Sequence, residues 1–170
     1  MTMSMFEASV PSFIHSLTAL KVILEKGAAH ADSKKIDQTV LVQTRLFPDM
    51  FPLSRQVQIA TDAAKGAAAR LAGVEPPKFE DNETTFVELI ARVQQTIDYL
   101  QGFKASQIDG SEGRDIVLKS PRGERQFTGQ VFLRHWALPN VFFHITTTYN
   151  ILRSSGVELG KADFLGTVQG

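Results

Sequence analysis

Four histidines, His15, His30, His135 and His144, are the side chains best suited to metal binding or proton transfer in a chain that has no cysteine. No two of them stand four apart, the spacing that puts two imidazoles on one helix face for a shared ion. His135 and His144 are nine apart, which at about 100° per residue places them on opposite faces, about 13 Å apart along a straight axis. Pro139 lies between them, and its missing N–H should release the His135 carbonyl and bend the helix.

Asn140 and His144 do have the i, i+4 relation, and Thr148 continues their stripe. Two kinds of chemistry fit that row. In one, the amide and hydroxyl satisfy a buried imidazole by hydrogen bonding. In the other, His144 is the single strong ligand of a metal or small-molecule pocket, although an amide oxygen is a poor donor to zinc or nickel. Arg55 and Gln56, early in another helix, could point into such a pocket, with Asp49 or Asp62 as salt-bridge partners for Arg55. Trp136 reads as a bundle-end aromatic or a stacking surface for a ligand. Glu80, Asp81 and Glu83 read as a solvated charge group ahead of a helix N-terminus. His15 falls beside an apolar stripe and His30 at a loop entry, both suited to solvent. The chain has no GxSxG elbow, phosphate-binding glycine loop or dinucleotide fingerprint.

Composition narrows the classes. The chain has 170 residues, 18 Lys+Arg against 18 Asp+Glu, 43% hydrophobic and 21% charged residues. That length favours one domain over 1–170 with its own core. So even a charge balance argues against nucleic acid and against an anionic membrane surface, both of which need clustered basic excess. No apolar run reaches the roughly 18 to 20 residues of a membrane span. Met1 to Val10 lacks the basic-then-apolar order of a secretory signal, so a cytoplasmic location is expected; the absence of cysteine suits it.

Four long segments must position these residues. Phe6, Val10, Phe13, Ile14, Leu17, Leu20 and Leu24 define a helix from about Ser4 to Ala29, with Pro11 early in it. Asp32 to Lys35 reads as a loop, and a short helix over about Asp37 to Leu46 follows. After Phe47–Pro52, a helix to Ala72 carries the narrow stripe Val57, Ala60, Ala64, Ala67 and Leu71, and Gly73 ends it. Thr85 and Glu88 have capping-box spacing for a third helix that ends near Gly102. Asp115–Lys119 and Glu124–Thr128 flank Ser120–Gly123, which suits a type I turn and a small β-hairpin. A last long helix runs from Thr128 or Gly129 to Ser155. Four amphipathic helices bury their stripes most economically as an all-α four-helix bundle. The tail, about 157–170, is expected to be ordered only where it docks.

Phe47 to Gly73 (FPDMFPLSRQVQIATDAAKGAAARLAG), Lys78 to Phe86 (KFEDNETTF) and Gln130 to Gly156 (QVFLRHWALPNVFFHITTTYNILRSSG) together resemble an uncharacterised branch of the DinB-like superfamily of four-helix bundles. The resemblance implies an up-down-down-up bundle that is frequently dimeric. In better-known relatives three histidines, one from the second long helix and two at i, i+4 on the last, bind a divalent metal, and some of those relatives are metal-dependent hydrolases or thiol transferases. His144 matches the later histidine of that last-helix pair. Its partner position holds Asn140, and the second long helix offers Arg55, Gln56 or Gln58 instead of histidine.

The resemblance therefore implies a degenerate metal site and no resident cofactor, with a divalent metal on His144 as the alternative. Three functions stay open at this point. One is binding of a small molecule in a pocket of Asn140, His144, Thr148, Gln56, Arg55 and Trp136. The second is a metal-dependent hydrolase or transferase in which His144 is a ligand and Gln56 or a carboxylate completes the shell. The third is a structural or regulatory homodimer.

Overall fold

The computed structural model describes residues 3–121 and 123–167. Helix α1 (Met5–Lys34) opens with a capping box: the Ser4 hydroxyl accepts from the Glu7 N–H at 3.2 Å, and the Glu7 carboxylate returns to the Ser4 N–H. It runs through Pro11 and on past Ala29, so Asp32 to Lys34 form its last turn rather than the expected loop. Buried Ala31 anchors that turn, and Lys35 closes it in the left-handed region at φ 55°. Helix α2 (Gln38–Val42), capped by Asp37, is shorter than its sequence pattern.

Helix α3 (Leu53–Leu71) follows Pro52, and Gly73 takes φ 73° just past its end. Helix α4 (Phe86–Gln101) has the reciprocal Thr85–Glu88 cap that the spacing predicts. A further short helix, α5 (Ala105–Ile108), buries Ile108 and had no clear sequence signal. Strands β1 (Asp115–Ser120) and β2 (Gly123–Thr128) pair antiparallel, with Ile116 opposite Phe127 and Ser120 opposite Gly123. The expected turn over Ser120–Gly123 includes Arg122, which lies outside the described residues.

The last long helix comes in three pieces. Helix α6 (Gly129–Phe132) leads into a π-helical turn (Leu133–Ala137), and α7 (Leu138–Ser154) continues from it. The Leu138 N–H reaches back five residues to the Leu133 carbonyl. Pro139, next in the chain, has no N–H to give, so the bonding pattern widens by one residue where a simple bend was expected. Helix α8 (Lys161–Leu165) docks the tail through Lys26–Asp163 at 2.6 Å, over buried Val157 and Leu159. Residues 168–170 of the tail lie outside the described residues.

Contacts set the directions. Phe86 and Leu152 both crowd Gly27, and Lys21 bonds Gln94 at 2.9 Å, so α4 runs antiparallel to α1. Leu152 near Gly27 and Ile145 near Pro11 and Ser16 make α7 parallel to α1. Gln56 meets His144 while Leu71 lies by Gly129, so α3 runs against α7. The result is up-down-down-up. Ala60, Ala64 and Ala67 are fully buried, and their small side chains let α7 approach α3 closely enough for polar side chains to meet between them.

Candidate functional site

His144 and Gln56 face each other across the α3–α7 seam. The imidazole Nδ1 lies 2.7 Å from Gln56 Oε1, and Gln56 Nε2 donates to the Phe51 carbonyl at 3.0 Å. The second bond orients the first. With its amide nitrogen committed to Phe51, Gln56 presents its oxygen to the ring, so Nδ1 carries the proton and donates it. The ring is 8% exposed, and Phe143 meets it edge-on with centroids 5.1 Å apart. Burial, and then the nearby Arg55 charge, push the His144 pKa from 6.5 down to about 4. At neutral pH the imidazole is uncharged, and its Nε2 lone pair takes no hydrogen bond from the described residues.

Asn140 and Thr148 do not satisfy that ring, as the stripe on α7 suggested they would. Asn140 Nδ2 donates to the Trp136 carbonyl at 2.7 Å, within the turn disturbed by Pro139, and Thr148 Oγ1 donates to the His144 carbonyl at 2.9 Å. The imidazole's partner comes from another helix, which spacing along a single helix cannot show. The other histidines stand apart: Nε2 of exposed His15 lies 2.6 Å from the Leu165 carbonyl, His30 is half-buried within α1, and His135 is exposed.

A resident divalent ion fits these residues poorly. Among the described residues no three of His, Cys, Asp and Glu converge as a metal-holding group. Near His144 the amide oxygen that could join it as a ligand is already accepting the Nδ1 proton. Among the described residues no second imidazole and no carboxylate joins His144 in such a group, and those are donors that a divalent transition metal favours.

A cavity of about 310 Å³ opens beside this pair, between α3 and the π-turn end of α7, with Leu118 of β1 as one wall. Arg55, Trp136 and Asn140 line it together with Ile59, Asp62 and Arg70. The structure thus gathers half of the pocket residues read from the sequence. Gln56, His144 and Thr148 form the buried cluster next to it and are not in its lining. Trp136 is half-buried, 5.7 Å from the Phe127 ring, with the Arg125 guanidinium 4.6 Å above its own ring.

Around the outer side of α3 lies a charge network for which the sequence reading had no place. Buried Arg92 on α4 bonds Asp62 at 2.8 Å, Asp81 at 3.0 Å, Glu83 at 2.9 Å, the Glu80 carbonyl at 2.9 Å and Thr61 at 2.8 Å. Lys65 pairs with Asp62, and Arg55 reaches Asp81 at 2.5 Å, a partner other than the two expected. Asp81 and Glu83 are therefore not the freely solvated group they resembled. They fasten the connection before α4 onto the bundle. The signal was available: Arg92 falls in register with Leu89, Val93 and Thr96 on the inward face of α4, and a cation there must find carboxylates.

The family described as a domain of unknown function (DUF1993) matches residues 5–165. A crystal structure of a DinB family member from Shewanella denitrificans is 42% identical, over 96% of this chain and 92% of that one, with a TM-score of 0.87. No curated protein matches. With that match along almost its whole length, and with the same up-down-down-up bundle, the chain belongs to the DUF1993 branch of the DinB family.

Proposed function

We propose that this protein binds a small molecule in the α3–α7 cavity, and that its superfamily metal centre is degenerate, replaced by the His144–Gln56 hydrogen bond. The observation that supports this is the anchoring of Gln56 on the Phe51 carbonyl. It turns the Gln56 amide oxygen onto His144 Nδ1, so that the oxygen accepts the ring proton instead of facing an ion. Beside the pair, a concave site with an indole, an amide and guanidinium groups has the mixed apolar and polar lining of a ligand pocket. Protein purified without an affinity tag should carry well under one equivalent of Zn, Ni, Mn or Fe by elemental analysis. Stoichiometric metal that is lost on His144→Ala would overturn this reading in favour of a metal-dependent hydrolase or transferase.

A homodimer is the second reading. Phe142 and Phe143, adjacent on α7, are 42% and 57% exposed, an apolar pair of the kind that subunit contacts cover. Sedimentation velocity at micromolar concentration should give a dimer that Phe142→Glu converts to monomer. A wild-type monomer would reject this reading.

A further inference from the structure

We propose that the α3–α7 cavity takes a small carboxylate with an apolar body, its anionic end held by Arg70. The inference rests on the reading above that this cavity binds a ligand, and adds the class of ligand.

The argument is one of charge. Three cations of the network, Arg55, Lys65 and Arg92, are matched by three carboxylates, Asp62, Asp81 and Glu83. Arg70, which also lines the cavity, is left over. Among the described residues no carboxylate pairs with it, and its hydrogen bond is from Nη1 to the Gly66 carbonyl at 2.9 Å, which leaves most of its donors unused. Half-burial pushes its pKa down, and the charge of exposed Glu75 acts the other way. A half-buried guanidinium without a carboxylate is the feature that an anion completes.

Gly66 supplies the placement. Glycine is a poor residue for a helix interior, but a Cβ at position 66 would collide with Arg70 Nη1. Its absence lets the guanidinium fold back along α3 beside the cavity. The remaining lining gives the rest of the ligand. Ile59, Leu118 and Trp136 offer apolar walls, and Asn140, with one N–H spent on the Trp136 carbonyl, keeps its second N–H for a ligand acceptor. Two arginines, Arg55 and Arg70, face one carboxylate, Asp62, in the lining, an excess of one positive charge that matches a monoanion, and about 310 Å³ admits a compact body.

Trp136 is the only tryptophan in the chain, so its fluorescence reports directly on the cavity. Phenylacetate and its neutral counterpart phenylacetamide are titrated into wild type, Arg70→Gln and Gly66→Ala. The expected result is a carboxylate Kd at least about tenfold below that of the amide in wild type, and a preference lost in Arg70→Gln. Gly66→Ala keeps the charge and displaces the guanidinium; the preference should disappear there too without a lower Tm, so the test survives if Arg70→Gln fails to fold. Equal binding of both probes to wild type, or a preference that survives both substitutions, overturns the carboxylate inference and leaves the cavity reading standing. No Trp136 response to either probe at millimolar concentration overturns both.

Discussion

Protonating His144 should destabilise the fold, by an amount that follows from its surroundings. The unfolded chain takes up the proton near the ordinary 6.5, while burial and Arg55 hold the native imidazole to about 4. Between those values the unfolded state binds a proton that the native state refuses. Stability is therefore fully present above 6.5 and falls as pH drops toward 4. At about pH 5 the loss from this one group is about 2 kcal/mol, approaching about 3 kcal/mol once the native ring also protonates. Urea unfolding of wild type and His144→Gln at pH 7 and about pH 5 isolates it, because every other titrating group is common to both. Wild type should lose about 2 kcal/mol more than the variant between the two conditions. Long-range proton–nitrogen NMR should place the proton of the neutral ring on Nδ1, facing Gln56 Oε1. Parallel pH profiles, or an imidazole that titrates near 6.5 with its proton on Nε2, would refute the account of a buried, oriented histidine.

Arg92→Met should cost about 3 kcal/mol, a fall in Tm of about 6–12 °C. The figure is at the low end for a buried pair because Asp62 and Asp81 side chains are 40% and 38% exposed and can rehydrate, whereas Glu83 at 10% cannot. Limited proteolysis should then cut first within residues 74–85, and a variant as stable as wild type would mean that the network contributes nothing net. Gln56→His together with Asn140→His adds two imidazoles beside His144 and should raise bound zinc toward one equivalent; metal content unchanged from wild type would show that the three positions do not converge.

The cavity and the His144–Gln56 pair are neighbours built from the same two helices, with separate duties. The pair closes the seam between α3 and α7 with one buried hydrogen bond. The π-helical turn one step along α7 presents Trp136 and Asn140 to the cavity. Such turns shift the phase of a helix by one residue, which changes the face that later side chains occupy. That shift separates exposed His135 and half-buried Trp136 from the register that a continuous helix would give them.

Much of the architecture was legible in the chain alone. Apolar residues at three- and four-residue spacing located all four long helices, the Thr85–Glu88 pair located a cap, and Gly73 a helix end, because these are short-range consequences of backbone geometry and hydrogen bonding. The end of α1 was not legible, since Asp32 and Ser33 have the polarity of loop residues and only the burial of Ala31 explains the extra turn. The shortage of imidazoles around His144 could also be counted without coordinates. What the count could not supply was the partner. Gln56 stands 88 residues from His144, and whether an amide oxygen or an amide nitrogen faces the ring depends on a carbonyl at Phe51. The same holds for Arg92, whose three carboxylates come from α3 and from the connection before α4, and for Arg70, which among the described residues bonds the Gly66 carbonyl and no carboxylate. Periodicity along one helix decides which side faces inward; which polar groups meet there is decided by how the helices pack, because desolvation forces each buried charge or donor to choose among whatever the neighbouring helix presents.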